Sequence, residues 1–121
     1  MSYNQGQILE VQFRIPPDGR LENHPVVVLS NSEINEYEEA FVGVMMTTTD
    51  SDDEYSFVVD DSMVLKPFKD DKHREIRLHL IGHFLNTDVI VNSHNNSIKK
   101  EHLRRLLIQI NEITFNSKIN L

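Results

Sequence analysis

Hydrophobic residues in this chain recur mostly at every second position, and they switch to a sustained helical spacing only once, near residue 97. Period two places successive side chains on opposite faces of a strand, whereas 3.6 places them on one stripe of a helix. The pattern therefore predicts a mainly β chain closed by one helix. Leu9, Val11 and Phe13 alternate with Glu10, Gln12 and Arg14, as in a half-buried strand. Pro16-Pro17-Asp18-Gly19 ends it with strong turn chemistry. The polar stretch 20–24 reads as a loop, and Pro25 opens a strand over 26–29 whose unbroken aliphatic run predicts burial on both faces. Asn31 or Ser32 is suited to cap one helical turn ending near Asn35.

Further strands are expected over 40–48, 55–59, 63–65 and 74–85, with a brief one at 89–91 and a break at 92–96. In the long one, Ile76, Leu78, Leu80 and Phe84 fall on one side, and Arg77, His79 and His83 on the other. The helical stripe consists of Ile98, Leu103, Leu106, Leu107, Ile110 and Ile113, with Ser97 as the expected N-cap and Glu101 in the first turn. The expected fold is a small, mostly antiparallel, barrel-like β domain with an appended C-terminal amphipathic helix, one domain over 1–121.

Composition narrows the function classes. A chain of 121 residues, 39% hydrophobic with 4 Gly and 4 Pro, is large enough for a real core. The lack of cysteine excludes disulfides, thiolate zinc sites and a thiol nucleophile. No apolar run is long enough to span a membrane and no signal peptide is visible, so a cytoplasmic location is expected. Charge is polarised. Residues 1–71 carry 15 Asp/Glu against 4 Lys/Arg, and residues 72–121 carry 4 against 8, within a total of −7. The total argues against nonspecific binding to a long polyanion, but the basic half can still offer one cationic face.

The sequence has no Gly-rich phosphate loop, no nucleophile elbow and no His-Glu-x-x-His motif. His79 and His83 share a strand face but stand about 13 Å apart along it, too far for one zinc ion. The acidic run 50–54 lacks EF-hand spacing. No metal site and no cofactor are expected.

The order of short motifs carries more information. Gly6-Gln7-Ile8 opens the first strand, and His24-Pro25 leads into Val26-Val27-Val28-Leu29-Ser30-Asn31. A later strand ends in Thr47-Thr48, followed by Val64-Leu65, Glu75-Ile76-Arg77 and the final helix. This order resembles the MazF/PemK family of toxin ribonucleases over nearly the whole chain. The resemblance implies a compact SH3-like barrel with a C-terminal helix, a homodimer, and sequence-specific cleavage of single-stranded RNA without metal. It also implies a cognate antitoxin with a disordered acidic tail.

In that family an Arg before the Pro and a Thr at the end of the third strand serve the site. The Thr is present as Thr47 or, with a shift of one residue, Thr48. The Arg is replaced by His24, which cannot grip a phosphate as a guanidinium does but can shuttle protons near neutral pH. His24 either keeps the chemistry in a changed role or marks a degenerate site. Gln7 replaces an acidic residue of the pattern. Arg77 matches a late-strand Arg of the family that lies near the substrate, and with His24 it is expected to serve proton transfer and phosphate stabilisation. His79 and Glu75 share its face on a regular strand, and Arg20 is a further possible phosphate contact. The rival reading is a non-catalytic binding module on the same fold, either gyrase-binding as in CcdB or a degenerate member that binds a protein.

Overall fold

The architecture comes from a computed structural model of the chain, which describes residues 2–90 and 95–116. Six antiparallel strands form one sheet in the order β4-β5-β3-β2-β1-β6. They are β1 (Gln7–Ile15), β2 (Arg20–Val28), β3 (Ala40–Thr47), β4 (Ser56–Val58), β5 (Glu75–Leu85) and β6 (Asn96–Ser97). Helix α1 spans Ser32–Glu38 and α2 spans Lys100–Thr114. The expected mostly β architecture with a C-terminal helix is observed. The sheet does not close into a full barrel: β4 and β6 are its edges, and single bridges, Val11↔Val89 and Val64↔Ile98, tie the flanking segments back.

Each face of the sheet has its own core. On one, Ile8, Val27, Val44, Met46, Ile76 and Leu78 pack against Leu103, Leu106 and Ile110 of α2. Burying each such side chain stabilises the fold by about 1.5–3 kcal/mol. The hydroxyl of Thr114 donates to the Leu78 carbonyl at 2.5 Å and pins the end of the helix to β5. On the other face, Leu9, Val11, Phe13, Val26, Val28, Phe41, Met45 and Phe84 form a second cluster. The Phe41 and Phe84 rings meet at 5.5 Å, and the Phe13 and Phe84 rings at 5.8 Å. Val26, Val27 and Val28 are thus all buried, as their unbroken run implies.

Four local expectations are corrected. The stretch 20–24 is the first half of β2, paired residue for residue with β1 through a tight turn that joins Ile15 to Arg20. It is polar although its β1 partners Val11 and Phe13 lie in the second cluster, and its pairing with β1 makes it a strand. Residues 63–65 are no strand: Asp61–Met63 is a 3-10 turn capped by the Asp60 side chain. The long strand does not keep one parity. Between Val44↔Ile81 and Met46↔Ile76 the β3–β5 register shifts, so Ile76 and Leu78 face the helix while Phe84 joins the opposite cluster. Finally, the N-cap of α2 is Lys99 rather than Ser97; Ser97 lies in β6 and Ile98 is buried just before the helix. Asn31 caps α1 as expected, accepting from the Ile34 amide at 2.9 Å. Val89 makes one bridge to Val11; Val91 and residues 92–94 lie outside the described residues.

Candidate active site

His24, Pro25, Thr47, Thr48 and Arg74 line one cleft of about 190 Å³ at the polar end of the sheet. The β2–β3 pairing reaches Val26↔Met45, just short of His24 and Thr47, and Thr47 pairs with Glu75 on β5. His24 and Thr47 reach the cleft from β2 and β3, with Glu75 across from Thr47. Two of the residues singled out from sequence, His24 and Thr47, thus meet, with Thr48 beside them. Thr47 is half-buried, and its hydroxyl oxygen accepts from the Thr49 amide at 3.2 Å.

On β2 His24 begins a chain of charged groups. Glu22 accepts from His24 Nε2 at 2.9 Å and from Arg20 Nε at 2.9 Å, and Arg20 also reaches Asp18 at 3.2 Å. The bond from His24, and then that from Arg20, hold the Glu22 carboxyl below its usual range. Arg20 therefore does not line the cleft; it touches the site through Glu22.

On β5 the arrangement is repeated in reverse. Glu75 is 1% exposed. Its Oε1 accepts from His73 Nε2 at 2.8 Å and from the Ser51 amide at 3.1 Å. Its Oε2 accepts from the Ser56 hydroxyl and from Arg77 at 3.3 Å. Burial alone would raise its pKa, but the hydrogen bonds from Ser56, His73 and Ser51 outweigh burial and bring it to about 2. Arg77 is mostly buried and makes a two-pronged pair with Asp53 at 2.8 and 3.0 Å, which brings Asp53 to about 2. His79 is not in the cleft: its ring meets Tyr55 edge-on at 5.3 Å, and burial followed by the Arg77 charge lowers its pKa.

One cleft residue was missed at the sequence level: Arg74, which with its neighbour His73 sits at the end of the charged stretch 69–74 that reads as a surface turn, and His73 lines a separate hollow. In the structure Arg74 stacks over Phe68 at 3.9 Å and pairs with Asp70 at 2.8 Å. His73 belongs to the only group of three metal-ligating types found among the described residues: Asp50, His73 and Glu75 offer ligand atoms within 4.8 Å of one another. A cation there would have to displace the proton that joins His73 to Glu75 and compete with Arg77. A larger hollow of about 910 Å³, lined by Arg14, Asn23, His83 and Phe84 among others, opens between the β1–β2 hairpin and the end of β5. Its residues form no imidazole–carboxylate pair.

A small, mostly β protein whose open sheet carries a polar cleft across three strand ends is the class that fold and site define. The chain matches, over residues 4–115, the family described as PemK-like, MazF-like toxin of type II toxin–antitoxin system, and it belongs to that family. Solved structures with this fold agree. MazF from Deinococcus radiodurans superposes with a TM-score of 0.68 at 10% identity, over 93% of this chain and 96% of that one. An endoribonuclease from a mycobacterial species, in complex with its cognate antitoxin, gives 0.64 at 13% identity over 91% and 92%. The Mycobacterium tuberculosis toxin MazF-mt6 gives 0.63 at 11% identity over 93% and 100%. No curated protein matches the chain in sequence. Among the described residues, no helix is long and apolar enough to cross a membrane.

Proposed function

We propose that this chain is the toxin of a toxin–antitoxin pair and a sequence-specific endoribonuclease that cuts single-stranded RNA without metal. The observation that carries the reading is the convergence of His24, Thr47 and Thr48 on one cleft in a chain of this family. The ribose 2′-hydroxyl attacks the adjacent phosphorus, and the 5′-oxygen leaves. Such a reaction needs proton transfer at both oxygens and donors to the phosphorane. His24 transfers a proton; Thr47 or Thr48 donates to a phosphate oxygen; Arg77 and His79 lie farther along β5, where they contact neighbouring nucleotides. The partners are single-stranded RNA, a cognate antitoxin and a second copy of the chain, and the location is cytoplasmic.

The test is cleavage of a mixed RNA in EDTA by the purified protein. Products with a cyclic phosphate and a free 5′-hydroxyl, reduced at least about 10²-fold by His24→Ala, support the reading. Products with a 5′-phosphate, or loss of activity on chelation, overturn the chemistry. One observation favours the binding-module reading: Arg77 is engaged by Asp53 and Glu75 rather than free for phosphate. If the wild-type protein neither cuts RNA nor arrests growth, that module, gyrase-binding or otherwise, takes its place.

A further inference from the structure

Asp50, His73 and Glu75 bring three ligand atoms within 4.8 Å of one another, from two separate segments. His73 and Glu75 are two residues apart on extended chain, so both side chains leave it on the same side. Their facing atoms, His73 Nε2 and Glu75 Oε1, stand 2.8 Å apart. Asp50 comes from the segment between β3 and β4. Its neighbour sets its place, because the Ser51 amide donates to Glu75 Oε1 at 3.1 Å. One Asp50 oxygen accepts from the Asp52 amide at 3.2 Å, and the other is available to a ligand.

One imidazole nitrogen and two carboxylate oxygens are donors that zinc accepts at about 2.0–2.2 Å, with a fourth place left for water. Ligand atoms on such a tetrahedral ion stand about 3.3 Å apart, so the His73–Glu75 pair need open only slightly. Magnesium and calcium demand six or more oxygens, and the nitrogen donor favours a borderline ion over either. The surroundings suit a cation as well. Glu75 is 1% exposed, and its other oxygen is held by the Ser56 hydroxyl and by Arg77 at 3.3 Å. Supports of that kind fix a metal-binding carboxylate in place. Arg77 does not cancel the charge of the group, because its two-pronged pair is with Asp53. Three carboxylates, Asp50, Asp53 and Glu75, thus stand against one guanidinium. His73 borders a hollow of about 580 Å³ whose lining includes Asp60, Asp61 and Asp71, besides the cations Lys72 and Arg74. Clefts lined by acidic groups concentrate cations.

We propose that Asp50, His73 and Glu75 form a binding site for a zinc-class divalent cation, which ties the segment after β3 to the start of β5. On binding, the metal takes the place of the hydrogen on His73 Nε2, and the neutral ring carries its proton on Nδ1. None of the three ligands lines the cleft that holds His24, Thr47 and Thr48. The ion is therefore a clamp that stabilises the folded chain, and it takes no part in the proposed cleavage. The sequence reading expects no metal site, since Asp50 lies more than twenty residues from His73 and meets it only through the fold.

The experiment titrates untagged, chelator-stripped protein with zinc chloride by calorimetry, without RNA, and repeats the titration with magnesium chloride. Zinc should bind at one ion per chain with a micromolar or tighter Kd, and magnesium should give no response at the same concentrations. Zinc at a hundredfold excess over Kd should raise Tm by roughly 10 °C. Asp50→Asn and His73→Gln should each weaken zinc binding at least about tenfold. Asp50 is exposed, so Asp50→Asn decides even if His73→Gln does not fold. Cobalt(II) in place of zinc should give the intense visible absorption of a tetrahedral ion, and Asp50→Asn should lose it. Zinc affinity unchanged in Asp50→Asn, a Kd weaker than millimolar, or equal binding of magnesium overturns the proposal. Cleavage in EDTA is scored separately: a chain that binds zinc but cuts no RNA keeps this site and loses the cleavage reading, and one that cuts RNA but binds no zinc does the reverse.

Discussion

Glu75→Gln removes a single charge at the centre of the β5 network, and its effect on stability can be worked out from the structure. The folded carboxyl sits at about 2, against an ordinary value of 4.5. A lowered folded pKa contributes stability that is fully present above the unfolded pKa and is lost as pH falls towards the folded one. The shift corresponds to about 3 kcal/mol at pH 7, and to about half of that at pH 3. The substitution leaves no orphaned cation, because Arg77 keeps its two bonds to Asp53. The loss should therefore sit at the low end of the roughly 3–5 kcal/mol found when one partner of a buried pair is deleted. For 121 residues this means a drop in Tm of roughly 10 °C. Urea unfolding of wild type and variant, repeated from pH 7 down to 3, measures it. The difference should be constant above about pH 5 and should narrow on acidification. Equal stability at pH 7, or a difference that does not move with pH, would refute the reasoning.

Three further outcomes are expected. Gly82→Ala should cost about 1–3 kcal/mol in urea unfolding, because a Cβ there would stand 2.8 Å from the Phe84 ring. Asn35→Ala should cost a comparable amount, about 1–3 kcal/mol. The buried Asn35 amide accepts from the Ser30 hydroxyl at 2.5 Å and donates to the Tyr3 and Ser30 carbonyls at 2.9 and 3.1 Å. Asp53→Asn should release Arg77 from its strongest partner; RNA binding should then tighten and its dependence on salt should steepen by about one phosphate contact, as read by anisotropy over a salt series.

Much of the fold is legible in the sequence because its elements are set by local signals. Pro16 to Gly19 punctuate the first hairpin, the run of valines marks the strand with core on both sides, and the 3.6-residue stripe marks α2. What is illegible depends on long-range pairing. Arg20, Glu22 and His24 look like a loop because the stretch is almost wholly polar; only pairing with β1 makes it a strand. The parity change in β5 cannot be seen from alternation, since an irregular register inserts residues without altering the polarity of their neighbours. The same irregularity separates Phe84 from Ile76 and Leu78. His24 and Thr47 were found because each sits in a short motif with a recognisable order. The pairing of His73 with Glu75 was not found, because nothing near it in the sequence distinguishes an imidazole held by a buried carboxylate from one in a charged turn, and Glu75 is held by Ser51, Ser56 and Arg77 from three separate segments.

The charges around Thr47 also account for a histidine where the family pattern has arginine. Asp18, Glu22, Glu75 and Asp53 are all held below their usual carboxylate range, so all four are ionised at neutral pH. Against them stand two guanidiniums, Arg20 and Arg77, each already paired with two of those carboxylates. These four carboxylates outnumber the two guanidiniums, and the excess negative charge repels phosphate. A further arginine at position 24 would be drawn into the same kind of pair with Glu22, as Arg20 is, and its charge would be spent there. An imidazole held by Glu22 at one nitrogen keeps the other available, and on protonation it brings its positive charge to the cleft itself. In the proposed cleavage, His24 would then supply both the positive charge that a phosphorane needs and the proton that it transfers.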